Sequence, residues 1–277
     1  KNNLCSINLC KIKSKYIMKA IIVAAGVGSR LGDLTKNTTK SLIKINNKKI
    51  LEHQITIFKK LGINDINVII GPYPEQYDFD DISLIHDTKY MEHDILASFM
   101  LAQSIMNDDV IVSYGDVIFD ENILKPIVDF EGLIGLGIDF EWKKNYEDRN
   151  ESLMQEATIA QFENHRCIRI VDGRELKKST NETISSLNNS KNVKTGEFVG
   201  LMKLSKIGSS KFIQLYNKLI NSHTGKFHES NSILDAYFTD MLQELIDNDV
   251  RIFSIPVEGK WCEIDTIDDI KRAEKIF

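Results

Sequence analysis

The sequence predicts an α/β protein: a Rossmann-like, mostly parallel sheet flanked by helices, with a small insertion containing a β-hairpin. Three observations lead there. The run "AIIVAAG" is buried-strand text that ends in a glycine loop, and strand-like and helix-like segments alternate from it to about residue 138. Beyond Asp139 that alternation fails in a charge-dense stretch, and "ATIAQFENHRCIRIVDG" reads as two short strands turning at Asn164 and His165.

Taken in order, Lys19 to Ala24 form the first strand. "ILEHQITIFKKLG" places Ile50, Gln54, Ile57, Phe58 and Leu61 on one helical stripe, with Gly62 as its stop. "INVIIG" is a second buried strand, "ISLIHD" a short third, and "ILASFMLAQSI" a helix. "DDVIVSYGDVIF" is a strand that runs into Asp116, and "LIGLGI" is the last regular strand before the insertion, which spans about 139–195. "GEFVGLMKLS" returns as a strand, "SKFIQLYNKLI" and "NSILDAYFTDMLQELIDN" are amphipathic helices, and "RIFSIPVE" is a late strand. "WCEIDTIDDIKRAEKIF" closes with a tight entry into a final helix, with Asp268 or Asp269 in its first turn.

The 277 residues, 42% of them hydrophobic, suffice for one domain with an insertion, expected over 18–277. Residues 1–17 read as an N-terminal extension outside the fold, with no unbroken apolar stretch and no cleavage site of a signal peptide. A formal charge of -5 with scattered basic residues gives no case for nucleic-acid binding. No apolar run approaches the roughly 20 residues of a membrane span, so no membrane partner is expected. Cys5, Cys10, Cys167 and Cys262 lack paired metal-binding spacing, and a reducing cytoplasm is the simplest setting. The six histidines are dispersed without a ligand pair. A monomer and a homodimer through the insertion are both compatible with this length.

A loop leaving the carboxyl end of a parallel strand is where open α/β sheets bind ligands, and glycine lets backbone amides approach phosphate oxygens. Gly26 and Gly28 sit there, and Arg30 and Lys40 follow as cations. A dinucleotide fingerprint needs a helix starting at the glycines, but "DLTKNTTKSLIKINNKK" is polar and lacks helical periodicity. A P-loop needs Lys followed by Ser or Thr after its last glycine, and Gly32 is followed by Asp33. Elsewhere, "SYGDVIF" ends a buried run with Gly115 and Asp116, and "WCEIDT" presents Glu263 and Asp265; two carboxylates emerging from strand ends can converge on one hard divalent cation.

"AIIVAAGVGSRLGDLTKNTTKSLIKI" resembles the signature loop of the nucleotidyltransferase superfamily that includes sugar-1-phosphate nucleotidyltransferases, usually written Ala-Ala-Gly, Gly-Ser/Thr-Arg, then Pro-Lys. Thr39 stands where proline is usual before Lys40. The resemblance implies a nucleotide site at Ala24, Ala25, Gly26, Gly28, Ser29, Arg30 and Ser98. It also implies catalytic cations at Arg30 and Lys40, and Mg2+ held by Asp116 and Asp265.

"VSYGDVIFDENIL", "GIDFEWKKNYEDRNE", "GEFVGLMKLSKIG", "AYFTDMLQELIDN" and "WCEIDTIDDI" are similar to cytidylyltransferases of small phosphorylated or phosphonate amines, such as 2-aminoethylphosphonate and phosphocholine. That similarity implies CTP and a small phosphonate or phosphomonoester as the partners, with pyrophosphate released. Asp139, Glu197 and Asp240 are then expected around the cationic head group, Trp142 or Tyr146 stacked on it, and Arg149 on the acceptor's phosphorus group. The alternatives are a sugar-1-phosphate uridylyl- or thymidylyltransferase and a non-catalytic nucleotide-binding homologue.

Overall fold

The computed structural model describes residues 18–146, 154, 156–176 and 192–277. The N-terminal extension with Cys5 and Cys10, and Arg149, lie outside them. Strand β1 (Met18–Ala24) leads into a short hairpin of β2 (Lys44–Ile45) and β3 (Lys48–Lys49), followed by α1 (Ile50–Lys60). Next come β4 (Asp65–Ile70), β5 (Ser83–His86), α2 (Ile95–Met100), β6 (Asp109–Tyr114), β7 (Val117–Phe119), α3 (Glu121–Asp129) and β8 (Ile134–Asp139). The second half holds β9 (Ile159–Glu163), β10 (Arg166–Val171), α4 (Gly173–Leu176), β11 (Val193–Leu204) and α5 (Lys206–Ser222). It ends with α6 (Phe238–Asp247), β12 (Ile252–Pro256), β13 (Trp261–Glu263) and α7 (Ile267–Ile276).

The α/β class is as the sequence reads, but β11 interrupts the parallel register, which resumes where β12 pairs with β8. Strand order is β5-β4-β1-β6-β11-β8-β12-β10-β9. The first four run parallel, whereas β11 is antiparallel to both β6 and β8. Long β11 explains the change: Leu201–Leu204 pair with β6, while Val193–Glu197 pair with β9. The hairpin read within the insertion therefore joins the main sheet, and β11-β8-β12-β10-β9 close on themselves. That hairpin turns where expected, with Asn164 and His165 at φ 49° and 67°, the left-handed pair that a two-residue hairpin loop demands.

Alternation along β1 explains the two covered faces. Ala20, Ile22 and Ala24 join a core with Phe58 of α1 and Ile123 and Ile127 of α3. Ile21 and Val23 face the opposite core, with Phe99 of α2, Phe212 of α5 and Phe238 of α6. Two expectations shift by local chemistry. The helix read from Asn231 begins only at Phe238, because Asp240 accepts from the Tyr237 N–H and caps the chain there. Gln54, read as a member of the apolar stripe of α1, is 1% exposed and hydrogen-bonds the backbone around β6 and β7.

Candidate active site

The loop after β1 lies at the carboxyl end of the parallel half. Gly28 adopts φ +68°, and a Cβ there would stand 2.6 Å from Lys40 Cγ, so only glycine lets the lysine stem pack across the loop. Lys40 sits in a single helical turn, and its Nζ donates to Asp116 Oδ2 at 3.0 Å and to Asp265 Oδ1. Arg30, half-exposed, pairs with Asp265 at 2.8 Å and with Glu156. Burial alone would lower the Lys40 pKa. Asp116 and Asp265 outweigh it and hold the ammonium above the ordinary lysine range.

Asp116 and Asp265 meet because β7 and β13 pair antiparallel, with Glu263 opposite Val117 and the Ile264 N–H donating to the Asp116 carbonyl at 2.9 Å. The turn before Asp116 needs Gly115, where a Cβ would lie 2.7 Å from that of Ala24. Gln54 braces the same turn: its Nε2 donates to the carbonyls of Tyr114 at 2.8 Å and Val117 at 2.6 Å, and its Oε1 accepts from Ser113. On the other side, Asp269 Oδ2 accepts from the N–H groups of Asp265 and Thr266, fixing the entry into α7.

Asp116, Glu263 and Asp265 offer carboxylate oxygens within 4.8 Å of one another. Burial raises the Glu263 pKa well above the usual carboxylate range, and Asp265 and Asp116 push it further. Three mutually repelling hard oxygen donors fit a divalent cation of the Mg2+ type. Glu263, noted in the sequence but not assigned a role there, is the third member.

These groups form one end of a cleft of about 670 Å³. Ala24, Ala25, Gly26, Gly28, Arg30 and Lys40 border it, and so do Ser98, Asp116 and Asp265. The structure thus brings these residues of the nucleotide and metal positions together, and Ser29 opens the helical turn that follows Gly28. A Cβ on Gly26 would meet nothing within 4 Å, so the backbone there is open to the cleft. Ser98, only 4% exposed, donates to Asp87 Oδ2 at 2.7 Å, and the other Asp87 oxygen faces His93 at 3.3 Å.

The opposite end was not foreseen from sequence. It is made by Asp94, Asp172, Arg174, Tyr237 and Thr239, with Thr158 nearby. Arg174 binds Asp172 through Nε and NH2, Asp240 through NH2 at 2.8 Å and Ser230 through NH1 at 2.7 Å. Its guanidinium lies 3.8 Å from the Tyr237 ring centre. Burial would raise Asp172, yet hydrogen bonds from Arg174 and Thr239 hold it below the usual range. Asp94, which caps α2, is raised by burial. A readable signal existed: "DGRE" follows the half-buried strand β10 much as the glycine loop follows β1.

The residues expected around the acceptor fall elsewhere. Asp139 accepts from Trp261 Nε1 and Asn145 Nδ2, each at 3.0 Å. Trp142 is 2% exposed and packs edge-on against Tyr146 in a small core with Ala157, Ile159, Val171 and Leu176. The Tyr146 hydroxyl donates to Glu197, itself buried in β11. Asp240 is buried as a helix cap and partner of Arg174. None of these five borders the cleft. The physical reason is that aromatic surface is best satisfied in a core, and each carboxylate has local N–H or O–H donors to satisfy. The sequence segments were informative about the region, not about which side chains face its cavity.

Comparison with known proteins adds an independent view. Residues 20–130 match the model of the MobA-like NTP transferase domain. The chain is 27% identical to the CTP:phosphoglutamine cytidylyltransferase of Campylobacter jejuni, over 92% of this chain and 98% of that protein. It is 32% identical to the 2-aminoethylphosphonate cytidylyltransferase of Lancefieldella rimae, over 39% of this chain and 46% of that protein. Among solved structures, the CTP:phosphocholine cytidylyltransferase of Streptococcus pneumoniae shares the fold with a TM-score of 0.66 at 22% identity, covering 94% of this chain and 98% of that one.

Proposed function

We propose that the chain is a nucleotidyltransferase, in keeping with its match to the NTP transferase domain and its full-length similarity to a cytidylyltransferase, and that it transfers CMP from CTP to the phosphate or phosphonate group of a small, amine-bearing acceptor. An acceptor oxygen attacks the α-phosphorus, the bond to the β-phosphate oxygen breaks, and pyrophosphate leaves. The nucleophile is already anionic near neutral pH, so no general base is required. The loop amides from Ala25 to Gly28 receive the triphosphate, and Arg30 and Lys40 neutralise the charge that builds as pyrophosphate departs. Asp116, Glu263 and Asp265 would hold Mg2+, whose contribution is to neutralise and align phosphate oxygens.

The observation that carries the acceptor reading is the charge of the far end of the cleft. Arg174 is already matched by Asp172 and Asp240, which leaves Asp94 in excess beside the exposed edge of Tyr237. Such a lining suits an ammonium group and offers little to a neutral sugar. Phosphoglutamine, aminoethylphosphonate and phosphocholine, named as acceptors of the relatives, all carry one. The test is pyrophosphate release measured for every nucleoside triphosphate against these three acceptors and glucose-1-phosphate, with and without Mg2+. CTP with an amine-bearing acceptor should be fastest; faster turnover of UTP or dTTP with the sugar phosphate would replace this reading with the sugar-1-phosphate one.

A further inference from the structure

Lys40 lies between two buried hydroxyl residues, and the third member of their cluster comes from a different loop. Thr39 is 0%, Ser41 2% and Tyr77 5% exposed. Their oxygens form a triangle: Thr39 Oγ1 to Tyr77 OH 2.7 Å, Ser41 Oγ to Tyr77 OH 3.0 Å, and Thr39 Oγ1 to Ser41 Oγ 3.0 Å. Three hydroxyl protons are shared among these three edges and a longer contact from Tyr77 OH to the Ala24 carbonyl, and removing one oxygen breaks two edges at once. Two neighbours of Tyr77 hold the chain just upstream: Tyr73 OH donates to the Lys36 carbonyl and Gln76 Nε2 to that of Asn37, both at 2.8 Å. The loop after β4 thus grips residues 36–41 at three places.

We infer that Tyr77 is a positioning residue for catalysis: through Thr39 and Ser41 it fixes the backbone on either side of Lys40, and so the place from which that cation reaches the phosphates. The inference rests on the nucleotidyl-transfer reading above. Backbone bonds from Leu42 N–H to Thr39 and from Ile43 N–H to Lys40 shape the turn itself without tying it to the rest of the protein, and the side-chain anchors of Lys40 do not supply that constraint either. Its stem packs over Gly28 and its ammonium bonds Asp116 and Asp265, but four rotatable side-chain bonds separate those contacts from the backbone. Tyr77 has no path to the reacting atoms of its own, since its hydroxyl points at Thr39, Ser41 and, at 3.4 Å, the carbonyl of Ala24. That last contact ties the same phenol to the end of β1, where the glycine loop departs. The loop and the lysine turn are therefore referred to one point. An extended residue in front of Lys40, with Thr39 at φ -106° and ψ 162°, is held here by side-chain bonding where proline would restrict it covalently.

The test uses four variants of the full chain: Tyr77→Phe, Thr39→Val, Thr39→Ser and, as a phenol-deletion control on α5, Tyr216→Phe. Two measurements are made on each, steady-state kinetics and hydrogen exchange of the unliganded protein. Tyr77→Phe and Thr39→Val should each lower kcat on the order of tenfold while leaving the KM for CTP within about twofold, because a misplaced cation is felt most where charge builds. Thr39→Ser, which keeps the hydroxyl, and Tyr216→Phe should match wild type. Exchange over residues 36–45 should quicken in the two damaged variants and remain unchanged over β1. Full kcat in Tyr77→Phe, or exchange at 36–45 that does not respond, would overturn the inference, as would activity losses that merely track the melting temperature in all four. A wild type that releases no pyrophosphate from any nucleoside triphosphate would sink the reaction reading instead, while the exchange measurement would still decide whether the grip exists.

Discussion

At the glycine-loop end of the cleft, Lys40 and Arg30 reach across to Asp116 and Asp265 from separate elements. At the far end, Arg174 is enclosed by Asp172 and Asp240 at once. The first arrangement leaves the cations and carboxylates facing an open cavity, where each can exchange a protein partner for a phosphate or a metal ion. The second engages Arg174, the one arginine or lysine among the described residues of that wall, in internal pairing, which makes the wall acidic toward a ligand. The difference teaches that the same charges can prepare one site for anions and another for cations, depending on which of them are already matched.

The largest expected effect tests the first end. Asp116→Ala or Asp265→Ala should reduce turnover by about three orders of magnitude, with a melting temperature close to wild type, since neither carboxylate supports the sheet. Pyrophosphate release and thermal circular dichroism together check this; near-normal activity at limiting Mg2+ would remove the metal role. Next, Lys40→Ala and Arg30→Ala should each cost about a hundredfold in kcat with smaller changes in stability. Equal losses of stability and rate would make that end structural.

The end proposed for the acceptor is sharpened by a pair. Asp172→Asn should raise the acceptor's KM by about tenfold and leave that of CTP unchanged, whereas Asp139→Asn should change neither. The reverse result would restore Asp139 as an acceptor contact and dissolve the contrast. Asp172 also carries a pH signature. Its folded pKa is depressed, so its stabilising contribution is complete above the unfolded carboxylate pKa and is lost as pH falls through the lower folded value. Acid melting curves should therefore be steeper for wild type than for Asp172→Asn. The smallest effect is expected from Tyr146→Phe, a loss of about 1–3 kcal/mol as Glu197 loses a buried donor, with both KM values unchanged.

Much of the first end was legible because each of its charged residues follows a strand or loop signal that stands out in the sequence. "AIIVAAG" ends at the loop, "SYGD" at Asp116 and "WCEID" at Asp265. The second end was not, because its geometry depends on which way a side chain turns after the element ends. Trp142 and Asp240 have the right chemistry for an ammonium, but one is claimed by an apolar pocket and the other by backbone N–H groups and Arg174. Gln54 shows the same limit within a helix: its spacing assigns it to the buried stripe, but only the approach of Tyr114 and Val117 shows that it is there to hold a turn. In the sheet, the alternation of elements gave the class, while the direction of β11 depended on pairings across long sequence separations.

The short ribbon of β7 and β13 has an implication for how this protein would fail under stress. Glu263 and Asp265 ride on a segment that rests, with α7, on a small apolar cluster of its own, including Leu31, Ile45, Ile118, Cys262 and Ala273, apart from the two cores that sandwich the sheet. Opening of that segment exposes far less apolar surface than global unfolding and so needs a smaller free energy. It carries two of the three clustered carboxylates away while the nine-stranded sheet stays intact. On warming, catalytic function should accordingly be lost ahead of the bulk β-sheet signal, and it should return on cooling from that intermediate range without the chain having to refold.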